Sequence, residues 1–407
     1  MDHQVIIVGG GIAGLTAALN LQKQGIDYLL LEANAEVGGR VKTRSVDGFL
    51  FDRGFQVLLT AYPEANRILD YDALNLSTFD PGALLLLDSG KTSVFGDPLR
   101  DLTTLWSTLA SKGASFSDKI GVYRLSSRLK NTSIDSIFGK SESTTLQYLK
   151  NLGFTNTIIE AFFRPFFSGI FLENELSTSS RMFEFVFKMF SEGSAALPQN
   201  GMQEIPKQLL SKLDDAKVHT DEHVLSIDGN ALQTNRGAYT TENIVLATDA
   251  KALSGLLDLP KPKYASTVHA HFSTAVTPYE KPLIALQSNS KGIVNNLCVV
   301  NKVSRAYAQK DNLLSVTLRS QSPLEKVEAT VQKEMKNWFN DAENWKLVDL
   351  QTIEYALPNQ NTVSENSPFQ RKENIWICGD HKMHGSLQAA MKSGRLVAEA
   401  IAKGMKS

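Results

Sequence analysis

The sequence predicts an α/β fold: a sheet of parallel strands drawn from distant parts of the chain, with a second, inserted α+β unit. Three observations predict it: an apolar, β-branched run that ends in glycines near the N-terminus, a second apolar run that ends in an acid about 20 residues on, and an apolar run followed by a small-residue helix at the C-terminus. At roughly 150 residues per domain, 407 residues give two domains or one large composite. Hydrophobic residues make up 42% and charged residues 21%, which excludes disordered and collagen-like classes. With 42 Lys and Arg against 43 Asp and Glu, the net charge is -1, so no global positive field serves a nucleic-acid backbone.

Taking the elements in order, Val5-Ile6-Ile7-Val8 reads as a strand buried on both faces. It runs into Gly9-Gly10-Gly11-Ile12-Ala13-Gly14, which has the G-x-G-x-x-G spacing, and a helix is predicted over Leu15 to Gln24 with Gly25 as its cap. Each glycine has a separate reason: Gly9 permits the tight turn, Gly11 lets backbone approach a pyrophosphate, and Gly14 lets helix pack on strand. The pyrophosphate would sit on the helix N-terminus, on the amides of Ile12 and Ala13. Tyr28-Leu29-Leu30-Leu31 then ends in Glu32-Ala33, where a carboxylate hydrogen-bonds ribose hydroxyls and disfavours a 2'-phosphate. This is a Rossmann-type dinucleotide-binding pattern, and it leaves NAD and FAD both open.

The residues downstream of Glu32 decide between them. Gly38-Gly39-Arg40, Thr43 and Phe51-Asp52-Arg53-Gly54 together resemble the N-terminal signature of the flavin amine oxidase superfamily, which includes monoamine oxidases, protoporphyrinogen oxidases and phytoene desaturases. Physically, the glycine pair allows close approach to a ligand and Arg40 offers a forked donor for phosphate. The resemblance implies FAD, a three-part cofactor domain, and a matching segment at the far end. Asn374 to Cys378 reads as a buried strand leading into Gly379-Asp380, with a helix from Gly385 to Ala402. By resemblance, Asp380 falls on the flavin ribityl chain and the amides around Ser386, Leu387 and Gln388 on its pyrimidine edge, where a helix N-terminus stabilises developing negative charge. Ala389, Ala390, Ser393, Gly394 and Ala398 lack bulk, which allows close helix packing. In the middle, Val218–Thr220 and His223–Ile227 read as paired strands, and Asn243 to Asp249 as another. The resemblance puts Val224 against adenine and Ala247-Thr248 at the end of a cofactor strand. Gly54, Phe55 and Gln56 are expected around the isoalloxazine.

The cofactor domain is thus expected over 1–60, 200–255 and 368–407, and a substrate domain over 61–199, read as mostly helical, and 256–367, which includes a strand at 313–318 and a helix at 323–340. Ten of the 20 phenylalanines lie between Phe154 and Phe190, as a packed helical core or as the lining of an apolar channel. Arg164 in this stretch needs a partner, an internal carboxylate or a substrate carboxylate; it and Phe167 are the candidate substrate contacts. No catalytic triad is expected, because the flavin carries the chemistry. Gln56, Tyr355 and His384 are candidates to act on the substrate, with core packing open for Tyr355 and loop capping for His381 and His384. Lys302 has no motif to fix it beside the flavin. No metal site is expected, since the two cysteines, Cys298 and Cys378, have no CxxC or histidine spacing, and no flavin-attaching cysteine follows Asp380, so the FAD is expected to be non-covalent.

The expected function is dehydrogenation of a hydrophobic substrate, conjugated polyene, tetrapyrrole-like or amine-bearing, by hydride transfer to flavin N5, with oxygen or a quinone as acceptor. The alternatives are a redox-neutral isomerase or saturase and a non-catalytic flavin-binding protein. The N-terminus lacks a secretory pattern and runs such as Leu84 to Leu87 fall short of the roughly 20 residues of a spanning helix. A cytoplasmic location, with peripheral membrane contact left open by the aromatic stretch, is the expectation.

Overall fold

The structure is a computed structural model that describes residues 1–96, 115–260, 263–288, 292–319, 325–365 and 369–406. The apolar runs form the centre of an eight-stranded sheet. His3–Val8 lies between Tyr28–Leu31 and Ala238–Leu246, all parallel; Val218–His219 extends one side and Ile375–Ile377 the other. Because these strands are apolar throughout, alternate residues feed two cores. Val5, Ile7, Tyr28 and Leu30 face the helices Ile12–Lys23 and Leu387–Lys406, while Ile6, Val8, Leu29, Leu31, Ile244 and Ile377 pack with Val224, Leu232 and Leu253 on the other side.

The first helix starts at Ile12, directly on the glycine turn, not at Leu15. It stops where predicted: Gly25, at φ +68°, donates to the Gln22 carbonyl and Ile26 to the Leu21 carbonyl, the double bond pattern that closes a helix over a left-handed glycine. The closing helix begins at Leu387 and runs past Ala402 to Lys406. Val218–His219 and Val224–Asp228 do not pair with each other, contrary to expectation. The first extends the parallel sheet beside Tyr28–Leu31, and the second pairs with Ala231–Thr234, because Asp221 turns the chain in a left-handed conformation between them.

A seven-stranded sheet forms the second unit, in the order Lys346–Pro358, Tyr264–Thr274, Asn312–Leu318, Val294–Val299, Ile284–Gln287, Gly82–Leu86, Thr92–Gly96. The described part of 61–199 is mostly helical, as expected, but it also supplies the last two strands of this sheet: the apolar run Leu84 to Leu86 pairs in parallel with Ile284–Gln287. The helix expected over 323–340 is Val327–Met335; residues 323 and 324 lie outside the described residues. Val327, Val331 and Met335 cover one face of the sheet, against Val268, Ala270, Phe272, Leu314 and Val316. The opposite face is polar and buried: His269 (0% exposed), His271, Ser315 and Thr317.

Helices fill the remainder of 115–192. Phe163, Phe167 and Phe183 are fully buried and pack on one another, with Phe167 and Phe183 ring centroids 4.6 Å apart. For these rings the packed-core alternative holds.

Candidate cofactor and active site

Strand register brings the predicted glycines to one edge. Val8 pairs with Leu31 and Leu246, and Leu246 with Ile377. The carboxyl ends of four strands from three remote segments are therefore level, and the residues just beyond them, Gly9, Glu32, Ala247 and Cys378, leave the sheet side by side. Hydrogen bonds stitch the exits together: Gly9 N–H to the Leu31 carbonyl at 2.8 Å, Ala247 N–H to Val8 at 2.8 Å, Cys378 N–H to Leu246 at 3.0 Å. In open α/β sheets this carboxyl edge is where ligands bind.

Within the turn, Gly9 has φ +107°, and a Cβ on Gly14 would stand 2.0 Å from the Gly9 carbonyl oxygen. A Cβ on Gly11 would meet nothing within 4 Å. Gly11 thus fronts open space at the start of the first helix, whose first-turn amides at Ile12 and Ala13 lack intrahelical acceptors and whose first turn holds no acid. Glu32 is buried and accepts the Gly10 N–H at 2.7 Å and the Asn34 N–H at 2.9 Å; Ala33 beside it is exposed. The second glycine turn docks on the first: Gly38 N–H reaches the Gly10 carbonyl at 2.8 Å, and a Cβ on Gly39 would lie 3.3 Å from the Gly11 Cα.

Arg40, next in the chain, meets the far end of the sequence. Its guanidinium donates to the Asp380 carboxylate at 2.5 Å and to the Ala356 carbonyl at 3.1 Å, and lies over the Tyr264 ring. Burial opposes charge on both partners, but their attraction outweighs it, so Arg40 is held up and Asp380 below the usual carboxylate range. The two groups expected to hold phosphate and ribityl therefore face each other across the same edge. Gly379, at φ +145°, gives Asp380 its approach, and its N–H donates to Ser393 Oγ.

Two buried polar atoms at this edge have no hydrogen-bond partner among the described residues: Thr248 Oγ1 and His381 Nε2. Together with the open face of Gly11 they fit a polar ligand seated between the first and last segments. Ser386 caps the closing helix, accepting from the Ala389 N–H at 3.0 Å, which leaves the Leu387 and Gln388 amides at an uncapped position of the first turn. The Gln388 side chain is engaged elsewhere, accepting from Glu64 N–H. Val224 is buried at the start of its strand.

Gly54 has φ +76°. Phe55 packs edge-on against Phe79, and Gln56 donates to the Arg40 and Arg53 carbonyls at 3.0 and 2.9 Å, tying its loop to the arginine. Tyr355 stacks edge-on with Tyr264. His384 is buried between Phe138 and Phe185, with its nitrogens on Glu365 Oε1 at 3.2 Å and Ser386 Oγ at 3.1 Å; it braces the helix cap. Lys302 is ion-paired with Glu280 at 2.7 Å. Arg164 takes the internal carboxylate: its Nε donates to Glu160 at 2.7 Å and an Nη to the Asn174 carbonyl. Phe167 is fully buried among other rings. Sequence reasoning missed Glu365 and Tyr264, which anchor His384 and Arg40; neither stands in a recognisable spacing.

Among the described residues, no group of three or more His, Cys, Asp or Glu is placed to hold a metal ion, and no helix is long and apolar enough to cross a membrane.

A carotenoid 3,4-desaturase of Haloarcula japonica is 54% identical over 52 residues, 13% of this chain and 10% of that protein. Protoporphyrinogen oxidase 2, chloroplastic/mitochondrial, of Arabidopsis thaliana is 34% identical over 77 residues, 17% of this chain and 15% of the other. The aligned stretches thus span about a sixth or less of these relatives. The solved structure of an oxidoreductase from Methanosarcina mazei superposes with a TM-score of 0.75 at 14% identity, covering 97% of this chain and 100% of that one, and shares the fold. The sequence profile described as flavin containing amine oxidoreductase matches residues 12–402, and with that span the chain belongs to the flavin containing amine oxidoreductase family.

Proposed function

We propose that the chain is an FAD-dependent oxidoreductase that dehydrogenates a hydrophobic small molecule. The carrying observation is the Arg40–Asp380 pair, 340 residues apart in sequence, at an edge that also presents Gly11's open face and the unpartnered Thr248 and His381 atoms. That arrangement suits a long ligand with phosphates at one end and a polar chain at the other. In this reading the cofactor unit comprises 1–60, 200–255 and 368–407. Gly9, Gly11, Ile12, Ala13, Gly14 and Arg40 hold the pyrophosphate; Glu32 and Ala33 the ribose; Val224, Ala247 and Thr248 the adenine side. Gly38, Gly39, Gly54, Phe55, Gln56, Gly379, Asp380, Ser386, Leu387 and Gln388 border the flavin end, and the FAD is held without a covalent bond. When bound, the flavin supplies the acceptor for a hydride from a substrate C–H bond, with oxygen or a quinone as final acceptor.

The chain's own part is binding, orientation and exclusion of water. Dipoles at the closing helix N-terminus favour negative charge beside them, and His384, fixed by Glu365 and two aromatic rings, keeps that helix start rigid. The segments 61–199 and 256–367 supply the substrate side. The relatives act, by name, on protoporphyrinogen and a carotenoid, which supports a large conjugated substrate.

The test is the absorption spectrum of the purified protein, mixed anaerobically with candidate substrates. Bands near about 370 and 450 nm that bleach with one substrate class are expected. A colourless protein that FAD cannot reconstitute overturns the reading.

A further inference from the structure

Arg40 and Asp380 stand at the cofactor edge, yet the other groups that hold the arginine come from the end of the seven-stranded sheet. Of the guanidinium's N–H donors, one on Nη2 goes to Asp380 at 2.5 Å and one on Nη1 to the Ala356 carbonyl at 3.1 Å; the others have no acceptor among the described residues. The Asp380 side chain is only 6% exposed while that of Arg40 is 33% exposed, so it is the arginine of the pair that remains open to a ligand. Ala356 lies near the end of the strand Lys346–Pro358, and Tyr264, which pairs with Pro358, begins the neighbouring strand Tyr264–Thr274. The Arg40 guanidinium carbon lies over the Tyr264 ring, 5.9 Å from its centroid. Tyr355, next to Ala356, meets that ring edge-on, with centroids 5.8 Å apart and planes at 70°.

Two hydrogen bonds fix the fork within its plane, but they leave the plane free to rock about the line that joins Nη1 to Nη2. An aromatic ring against its face removes that freedom, and the negative face of the ring favours the cation. Tilt matters for one class of acceptor in particular: a phosphate takes two parallel N–H bonds from a guanidinium only when two of its oxygens lie in the plane of the fork. The Tyr264 hydroxyl has no hydrogen-bond partner among the described residues, and burial and then Asp380 push its pKa up, so the ring is what this residue contributes. We propose that Tyr264 is a positioning residue of the cofactor site, which sets the tilt of the Arg40 guanidinium and so aims its free donors at a phosphate of the ligand. The inference rests on the reading that Arg40 holds the pyrophosphate of FAD, and it adds the end of the substrate-side sheet to that site. Tyr355 then braces the Tyr264 ring and stands apart from the chemistry.

The experiment measures the Kd of FAD for the apoprotein, by quenching of flavin fluorescence, in the wild type, Tyr264→Phe, Tyr264→Leu, Arg40→Gln and the double variant of Arg40→Gln with Tyr264→Leu. Tyr264→Leu is expected to weaken FAD about fivefold, as loss of one cation–π contact does, and Tyr264→Phe, which keeps the ring, to stay within about twofold of the wild type. In the Arg40→Gln background Tyr264→Leu should change the Kd by less than about twofold, since no guanidinium remains to be aimed. Should Arg40→Gln fail to fold, Arg40→Lys takes its place, because a lysine keeps the charge but has no plane to tilt. Wild-type affinity in Tyr264→Leu, an equal loss in Tyr264→Phe, or a loss that persists undiminished without the guanidinium overturns the proposal; the last is what plain packing of the ring predicts. A wild type that binds no FAD counts against the oxidoreductase reading instead, and the same variants are then titrated with ADP, a pyrophosphate ligand without flavin, by calorimetry. The same pattern with ADP sustains the proposal, and absence of ADP binding overturns it.

Discussion

Gly11 and Gly14 stand three residues apart in one turn, yet only one of them is sterically required to be glycine. Gly14 is glycine for the protein, since its Cβ would collide with the Gly9 carbonyl. Gly11 has no such steric reason, since its Cβ would point into space and its φ of -74° suits any residue, and in the proposed reading it is glycine for the ligand. Gly14→Ala should therefore lower stability by roughly 1–3 kcal/mol, read as a fall in the Tm of the apoprotein. Gly11→Ala should leave that Tm unchanged or slightly raised, while weakening FAD at least about tenfold, or about 1.4 kcal/mol. If Gly11→Ala binds FAD normally, the pyrophosphate does not approach there. His269 supports a second residue-scale prediction. It is buried between Ser315 and Thr317, burial and then His271 push its pKa well below the ordinary value, and Asp349 only partly offsets them. The unfolded chain therefore binds its proton first as pH falls below about 6.5. The stability His269 contributes is complete above that pH and is lost as pH falls toward the folded value, at up to about 1.4 kcal/mol per pH unit. Urea midpoints at pH 7, 6 and 5.5 should show this slope, and His269→Gln should reduce it.

At the scale of elements, the closing helix and the first helix meet through the small residues the sequence displays. A Cβ on Gly394 would come within 2.2 Å of the Ala13 carbonyl oxygen, and Ala389, Ser393 and Ala398 are fully buried. Gly394→Ala should therefore push apart the two helix starts that face the proposed cofactor, and both the apoprotein Tm and FAD affinity should fall. A loss of affinity without a loss of Tm would point to a contact between Gly394 and the ligand instead. Both helices and the four central strands were legible because their signals are local: apolar runs, glycines and caps. The strand Gly82–Leu86 was not, because a short apolar run has the same pattern in a buried helix and its parallel partner Ile284–Gln287 lies far along the chain; Thr92–Gly96 enters the sheet only as the antiparallel partner of that strand.

For the whole molecule, the proposed cofactor edge is built from segments that no local interaction holds together. A ligand that spans it should stabilise the folded state by mass action. At a concentration of FAD one hundred times its Kd, about 2.7 kcal/mol is expected, visible as a rise of the apoprotein Tm by a few degrees. Asp380→Asn, which leaves Arg40 facing a neutral amide, should lower Tm without FAD, and its loss of stability below about pH 4 should be shallower than in the wild type. The depressed pKa of Asp380 sets the sign: the pair stabilises above the unfolded carboxylate value and is lost as pH falls through the folded one. An unchanged acid profile in Asp380→Asn would show that the pair does not hold the edge.

What the sequence determined by itself is the set of strands and turns with their own local chemistry: Val5 to Gly14, Tyr28 to Glu32, Gly38 to Arg40, and Ile375 to Asp380. Each is written in a short window, where steric demand on a turn or burial of a strand dictates residue type. Only the tertiary structure decided which of these groups touch. It set Arg40 on Asp380 and His384 on Glu365. Such contacts depend on strand register and helix packing between residues remote in the chain, and a polar side chain carries no mark in sequence of the partner that burial will force on it.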